Sequence, residues 1–342
     1  MSRGTAGRFE ALWSREGAGA ALLTPLSWLY AAGAGLRNAA YDVGLLPAVP
    51  LGAPTVSVGN LSVGGTGKTP VSAWIAGRLL AMGYRPGILL RGYGDDEPLV
   101  HRRLTPGALV VADADRVAGA ERAYDLGARA FVLDDAFQYR RAARDLDIVL
   151  VSAEQGHLTR RLPAGPLREG RSALVRADVL MVTRKAASVA VAEETARRWA
   201  AGIPDLPTVI ASLAPSSLVP VDPNSTEEPL PLGTLRDAGV LAISAIGDPA
   251  AFEAQLARHD ARVSSGAFPD HHAFTDDEVT QLARRAAEFD LAVCTLKDAV
   301  KLEARWPRQG PALWYLTQAV SIERGGAELD ARLRELAPAA ES

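Results

Sequence analysis

The chain has 342 residues, which is enough for two domains with appendages. Its globular composition, with 48% hydrophobic and 23% charged residues, excludes disordered and fibrous classes. A net charge of −3 gives no support to nucleic-acid binding, and one cysteine, Cys294, excludes an intramolecular disulfide. Because Cys294 lies in an apolar run, we predict a small core residue rather than a nucleophile.

Residues 17–36 carry no charge and are followed by Arg37. Glycines, alanines and Pro25 make this stretch a poor membrane span, whereas leucines at helical spacing and nearby aromatics are typical of a helix lying in a membrane interface. We therefore interpret residues 1–45 as a membrane-associating arm. A helix packed on the protein's own core, or a true span or signal peptide, are the alternatives.

Strands and helices alternate through residues 46–203, which predicts a P-loop NTPase-like α/β domain with a parallel sheet flanked by helices. A stretch rich in proline and serine at 204–231 is interpreted as an irregular connection between domains. A second alternation follows, so that residues 204–342 are predicted to form a smaller α/β domain with a C-terminal helix. The predicted strands are 55–58, 87–90, 108–111, 130–133, 147–151, 178–182, 240–246 and 291–295, and the predicted helices are 70–82, 116–126, 250–258, one from about 298, and 329–336.

The run Ser-Val-Gly-Asn-Leu-Ser-Val-Gly-Gly-Thr-Gly-Lys-Thr-Pro at 57–70 has the pattern of a phosphate-binding loop. Glycines let backbone N–H groups turn toward phosphate oxygens, and the following helix adds the partial positive charge of its N-terminus. Lys68 is predicted to reach the β- and γ-phosphates of ATP, and the Thr69 hydroxyl to ligate Mg²⁺. The first glycine of the motif is replaced by Ser62. The predicted ATP-binding residues are Ser62, Val63, Gly64, Gly65, Thr66, Gly67, Lys68 and Thr69.

Acidic residues follow two other predicted strands. Asp134 and Asp135 end the strand 130–133, where carboxylates beside a phosphate-binding loop suit Mg²⁺, although such a pair alone is more often a helix cap. The acids at 95–97 follow the strand 87–90, and the residues alone indicate a site or a solvated loop equally well.

Two further segments carry candidate chemistry. The proline-rich loop 162–169 ends in Arg168 and Glu169, which suits a phosphate or metal contact but equally a plain structural loop. The triplet at 270–272 holds an aspartate and two histidines. It could ligate a transition metal, but an acid–base histidine is favoured because no further Cys/His cluster accompanies it.

In this order along the chain, these segments resemble those of the tetraacyldisaccharide 4′-kinases, the lipid A 4′-kinases of Gram-negative bacteria. The resemblance implies a two-domain α/β enzyme, peripheral on the cytoplasmic face of the inner membrane, with the membrane surface and the lipid as partners and no obligate protein partner. It implies transfer of the γ-phosphoryl of ATP, with Mg²⁺, to the 4′-hydroxyl of a tetraacyldisaccharide 1-phosphate. The matching runs are 58–70, 91–94, 96–98, 134–138, 162–169, 268–271 and 295–302.

The resemblance also implies residue roles. Asp96 matches the carboxylate that takes the proton from the sugar hydroxyl, and His271 matches its partner across a cleft that closure of the two domains would assemble. Lys68 and Arg168 match the phosphate contacts. Asp134, Asp135 and Glu169, with Thr69, match the acidic Mg²⁺ environment.

Four departures from the family accompany the match. Only Asp95 separates runs that an intervening segment usually keeps apart, so Asp95 or Asp96 could be the base. Ala136, Tyr139 and Leu296 replace the usual glycine, histidine and glutamate, and alanine is tolerable if its φ is negative. The rival functions are a membrane-associated P-loop ATPase switch, which needs no base, and a kinase of a soluble metabolite.

Overall fold

The computed structural model describes residues 22–92, 94, 96–156 and 158–336. The first part of the predicted arm, residues 1–21, and Asp95 lie outside the described residues. The helices are α1 (Thr24–Asp42), α2 (Lys68–Ala81), α3 (Asp96–Leu104), α4 (Arg116–Asp125), α5 (Val189–Ala200), α6 (Pro249–Ala257), α7 (Asp276–Ala286), α8 (Leu296–Leu302) and α9 (Gly326–Glu335). The strands are β1 (Thr55–Asn60), β2 (Pro86–Leu90), β3 (Leu109–Ala112), β4 (Ala130–Asp134), β5 (Leu146–Ser152), β6 (Val179–Arg184), β7 (Thr208–Pro220), β8 (Leu230–Pro231), β9 (Gly239–Ser244), β10 (Arg262–Ala267), β11 (Leu291–Cys294) and β12 (Leu313–Arg324).

The described chain forms two compact units, and the first comprises residues 22–92, 104–213 and 320–336. Its parallel sheet has the order β7-β6-β5-β1-β4-β2-β3. The central strands β1, β4 and β5 are buried along their whole length, as expected for a parallel sheet covered on both faces. The β1–β4 register pairs Val58 with Asp134, so both strands present their carboxyl ends to the same edge of the sheet.

The second unit comprises residues 94, 96–103 and 214–319. Strands β10, β9, β11 and β12 lie in that order, and each neighbouring pair is parallel. An apolar core joins β9, β11 and β12 to α7 and α8, and it includes Cys294, which is fully buried. The predicted core role of Cys294 is confirmed, and burial raises the pKa of its thiol well above the usual range.

The predicted α/β class is confirmed, but the segment 204–231 is not the irregular connection that its prolines suggested. Strand β7 occupies 208–220, and its ladder with β6 runs only from Thr208 to Ser212, before Pro215. A proline after the last paired residue removes no bond from that ladder, so it does not prevent a strand.

The two units also differ from the predicted ranges 46–203 and 204–342. Residues 96–103 group with the second unit, and residues 320–336 with the first. Asp96 and His271, predicted to come from separate domains, therefore belong to the same unit. The acids at 96–97 begin helix α3 and do not form a solvated loop.

Helix α1 has only one buried residue, Ser27, so it is not packed into an apolar core. Among the residues described, no helix combines the length and apolar character needed to cross a bilayer.

Candidate active site

The predicted phosphate-binding loop follows β1 and is fixed by contacts to its neighbours. The buried Asn60 Nδ2 donates to Thr66 Oγ1 at 2.8 Å, and Thr183 Oγ1 of β6 donates to the Thr66 carbonyl at 2.8 Å. Gly64 and Gly67 have φ values of 111° and 84°, in the region that favours glycine. The loop therefore has a defined shape that depends on these two glycines.

Two loop amides predicted to face ATP are already engaged in this conformation. The Val63 N–H donates to the Pro166 carbonyl at 2.8 Å, and the Thr66 N–H donates to the Gly64 carbonyl at 3.0 Å. The first amides of α2, beginning at Lys68, have no acceptor within their own helix, as at every helix N-terminus. Phosphate binding in this geometry thus depends on the glycine amides and the start of α2.

Ser62 replaces a glycine without backbone strain. The φ of Ser62 is not positive, and its hydroxyl donates to Gln155 Oε1 at 2.8 Å. Ala136 likewise has no positive φ and is fully buried. Both residues, Ser62 in the phosphate-binding loop and Ala136 after β4, can replace a glycine because neither position requires the left-handed conformation.

Lys68, Asp135 and Arg168 form a charged cluster at the carboxyl edge of the sheet. Lys68 Nζ lies 3.7 Å from Asp135 Oδ1, and Arg168 binds both Asp135 oxygens, at 2.8 and 3.2 Å. Burial lowers the pKa of Lys68, and the neighbouring Asp135 carboxylate opposes that shift. Predicted phosphate contacts and a predicted metal-binding acid are thus brought together.

The loop 162–169 packs directly on the phosphate-binding loop. Besides the Val63 bond to Pro166, the Arg168 N–H donates to the Leu61 carbonyl at 2.7 Å. Glu169 points elsewhere: its carboxylate accepts hydrogen bonds from Arg176 at 2.9 and 3.1 Å and from Asn38 of α1 at 2.7 Å. Its role as a Mg²⁺ ligand stays a prediction.

The remaining predicted metal-binding residues offer the hard oxygen donors that Mg²⁺ prefers. Asp134, at the end of β4, accepts a hydrogen bond from Ser72 Oγ of α2 at 2.9 Å, which places its carboxylate beside the helix that carries Thr69. The described part of the chain contains no preformed group of three or more His, Cys, Asp or Glu ligands. The donor set therefore fits an ion held by few protein ligands and by the substrate phosphates, as is usual for Mg²⁺.

A second group of titratable side chains lies in the second unit. Asp96, in the first turn of α3, is buried, and its Oδ2 lies 3.6 Å from His271 Nδ1. On the other side of the ring, His271 Nε2 lies 3.5 Å from Asp270 Oδ1. The imidazole is thus flanked by two carboxylates, an arrangement suited to proton transfer.

Helix α3 is attached to its unit through Arg103. The guanidinium donates to the carbonyls of Pro220 and Val221 at 2.8 and 2.7 Å, pairs with Glu303 at 3.2 Å, and lies over the ring of Tyr315. This anchor lies at the C-terminal end of the helix, and Asp96 lies in the first turn at the other end.

His272 has a structural role. Its Nε2 lies 2.9 Å from Glu278 Oε2, in the capping box of α7, and its ring stacks on Phe268. The transition-metal alternative for this triplet gains no support from the described residues.

The sequence interpretation did not assign roles to Asp270 and Asn38, although Asp270 lies in the triplet that it singled out. The adjacency of an aspartate to the candidate histidine was the available signal for Asp270. Asn38 gave no signal, because its contact with Glu169 joins residues 131 positions apart.

Comparison with known proteins identifies the family of the chain. The family model described as tetraacyldisaccharide-1-P 4′-kinase matches residues 19–337. The chain belongs to this family. A tetraacyldisaccharide 4′-kinase of Anaeromyxobacter sp. (strain Fw109-5) is 41% identical over 83% of each chain, and one of Anaeromyxobacter dehalogenans (strain 2CP-C) is 38% identical over 95% of this chain and 94% of the relative.

A solved structure shows the same fold. The "apo" form of LpxK from Aquifex aeolicus, in complex with ATP, matches with a TM-score of 0.75 and 29% identity, covering 93% of this chain and 99% of the other. The family and the kinase class predicted from the sequence are confirmed. The roles of the individual residues stay predictions.

Proposed function

We propose that the chain transfers the γ-phosphoryl group of ATP to the 4′-hydroxyl of a tetraacyldisaccharide 1-phosphate, a lipid A precursor, and so forms lipid IVA. The observation that carries this proposal is the buried Asp96 carboxylate beside His271, in a chain of the tetraacyldisaccharide-1-P 4′-kinase family. A phosphoryl acceptor with a hydroxyl group needs such a base, whereas nucleotide binding alone does not.

ATP is assigned to the loop 62–69 and to the start of α2. Lys68 and Arg168 supply positive charge for the phosphates, and Asp135, which contacts both, holds the two cations in place. Thr69, Asp134 and Asp135 would hold Mg²⁺, which when bound neutralises charge on the β- and γ-phosphates. Positioning and charge neutralisation account for most of the catalysis in this scheme.

The proton of the acceptor hydroxyl goes to Asp96. The carboxylate lies in the first turn of α3. The hydroxyl O–H bond breaks as its oxygen attacks the γ-phosphorus, and the proton is bound by the Asp96 carboxylate, with the His271 ring 3.6 Å from Asp96 and Asp270 on the other side of the ring. Since both residues belong to one compact unit, this base is preassembled and needs no domain closure.

The lipid substrate is supported by the surface of α1. Its apolar side chains Leu26, Trp28, Leu29 and Leu36 are exposed, whereas Ser27 and Asn38 donate hydrogen bonds to the Arg161 carbonyl and the Glu169 carboxylate. An exposed apolar face on an otherwise anchored helix suits a membrane interface. We infer peripheral attachment to the cytoplasmic face of the inner membrane, where ATP is present, and this favours a lipid over a soluble metabolite.

The proposal is tested with Asp96→Asn in an assay of lipid phosphorylation by purified protein. If Asp96 is the base, kcat falls roughly 10²-fold to 10⁴-fold. The control is Asp277→Asn, which alters an exposed acid in the first turn of α7 and leaves kcat unchanged. Full activity of Asp96→Asn together with loss in Asp95→Asn would move the role by one residue. Full activity of both variants would contradict a carboxylate base at either position, whereas ATP hydrolysis by the wild type without lipid phosphorylation would favour the ATPase switch.

A further inference from the structure

Asp298 is a fully buried carboxylate for which the mechanism above has no use. It lies in α8, within the run 295–302 that matches the family but received no role from the sequence. Burying a carboxylate is costly unless hydrogen bonds and an opposite charge compensate it. Its contacts therefore indicate what the residue does.

One oxygen of Asp298 connects two segments of the second unit. Oδ2 accepts a hydrogen bond from Thr295 Oγ1 at 2.6 Å and a second one from the Ala245 N–H at 3.0 Å. The other oxygen, Oδ1, lies 3.6 Å from Lys301 Nζ, which supplies the compensating charge. A cap for α8 requires only Thr295, whose hydroxyl already accepts from the Asp298 N–H. The bond to Ala245 is thus additional to capping.

Ala245 follows β9 and is hydrogen-bonded to the backbone of the candidate histidine, His271. Its carbonyl accepts the His271 N–H at 3.1 Å, and the preceding Ser244 carbonyl accepts the Phe268 N–H at 2.7 Å. His271 has a φ of 61°, which non-glycine residues adopt only when their surroundings hold them there. The continuous path is therefore Asp298 carboxylate, Ala245 backbone, His271 backbone.

We propose that Asp298 is a positioning residue, which holds His271 in its left-handed conformation through Ala245 and thereby sets the ring against Asp96. This inference rests on the proposed role of the Asp96–His271 pair. Removing the carboxylate frees Ala245, and the His271 ring then loses its fixed distance to Asp96. Small displacements of a catalytic group lower the rate of the chemical step more than they weaken substrate binding.

The test is a double-mutant cycle between Asp298→Ala and His271→Ala, measured as kcat for lipid phosphorylation. Asp298→Ala alone lowers kcat roughly 10-fold to 100-fold and leaves the KM for ATP unchanged. In the His271→Ala background the same change has no further effect, because the group that it positions is absent. Asp298→Asn keeps an oxygen acceptor for Ala245 and restores most of the activity.

The matched control is Asp290→Ala, which removes a carboxylate that accepts the Gly239 N–H at the opposite end of β9. Its kcat stays at the wild-type value. Wild-type kcat in Asp298→Ala, an equal loss in Asp290→Ala, or a loss that multiplies with that of His271→Ala would overturn the inference. If Asp298→Ala does not fold, Thr295→Ala carries the same cycle, since it removes the hydroxyl that donates to the carboxylate, and the cap of α8 that is lost with it does not depend on His271. The inference would then be overturned if Thr295→Ala left kcat unchanged, or if it lowered kcat by the same factor in the His271→Ala background.

These outcomes differ from failure of the proposed function. Full activity in His271→Ala would contradict the role of the Asp96–His271 pair itself. Loss of activity in His271→Ala, followed by a further loss on adding Asp298→Ala, would contradict only the positioning role.

Discussion

Two candidate site residues adopt a left-handed backbone conformation that residues other than glycine rarely adopt. Asp135 has a φ of 53° and His271 a φ of 61°. Each such position costs on the order of 1 kcal/mol or more, so the surrounding contacts must hold it. For Asp135 these contacts are Lys68 and Arg168, and for His271 they include the Ala245 carbonyl. Asp205, Asp237 and Asp260 also have positive φ values but no assigned task, so it is the contacts of Asp135 and His271, and not the conformation alone, that connect them with the reaction.

At position 62 the motif usually has a glycine, but the backbone of Ser62 does not have a positive φ and so does not require one. We expect Ser62→Gly to lower the free energy of unfolding by about 1–2 kcal/mol, because it loses the bond to Gln155 and gains chain entropy. Denaturant unfolding measures this, and Ser62→Ala separates the lost hydrogen bond from the added flexibility. The KM for ATP should stay unchanged, and a more stable or faster Ser62→Gly would show that serine strains the loop.

At this scale the sequence predicted residue types better than their contacts. The glycine-rich run identified Lys68 and Thr69 because the motif is local. It could not predict that Glu169 pairs with Asn38, since this pair depends on how segments 131 positions apart pack.

Glu154 joins the carboxyl ends of two strands. It follows β5, and its Oε1 accepts the N–H groups of Lys185, Ala186 and Ala187, just after β6, at 2.6–3.1 Å. Burial acts to raise the pKa of Glu154, but these bonds and one from Ser152 outweigh it and lower the pKa to about 2.

This low pKa predicts a pH-dependent contribution to stability. A carboxyl whose pKa is lower in the folded state stabilises the fold above its unfolded value of 4.5, and the contribution disappears as the pH falls toward 2. Glu154→Gln should therefore lower the melting temperature at pH 7, with a difference from wild type that shrinks between pH 4.5 and pH 2. The control is Glu121→Gln, which alters an exposed side chain of α4. A difference that is constant with pH would mean that the charge of Glu154 does not matter.

The exposed apolar face of α1 predicts a role in membrane attachment that can be separated from catalysis. We expect Leu26→Glu combined with Leu29→Glu to weaken cosedimentation with anionic lipid vesicles, because two exposed apolar side chains become charged. Activity toward detergent-dispersed substrate should remain. Val191→Glu, at an exposed apolar position of α5, is the matched control. Unchanged vesicle binding of the double variant would contradict membrane attachment through this face.

The elements predicted correctly are those whose signal is local and repeated. Six apolar strands of the first unit follow this rule. Strand β10 was not predicted, because Arg262, Ser264, Ser265 and Gly266 interrupt its apolar pattern and most of its residues are not fully buried. Strand β7 was obscured by prolines that lie outside its ladder with β6.

For the whole molecule, chain order does not predict which segments group together. Residues 96–103 lie between strands of the first unit in sequence but belong to the second, where Arg103 binds the carbonyls of Pro220 and Val221. These bonds join residues more than a hundred positions apart, so no local sequence pattern predicts them. The family match supplied the order of the motifs, and the structure supplied the pairing of Asp96 with His271 in one unit.

The central claim is that this protein phosphorylates a lipid and does not merely hydrolyse ATP. The most direct measurement incubates the purified chain with Mg²⁺, tetraacyldisaccharide 1-phosphate and ATP labelled in its γ-phosphate, and then separates lipid from nucleotide. The mechanism predicts that the label appears on the lipid as a second phosphate, at the 4′-position, in amounts that match the ADP formed. Hydrolysis of ATP with no label on the lipid would contradict it.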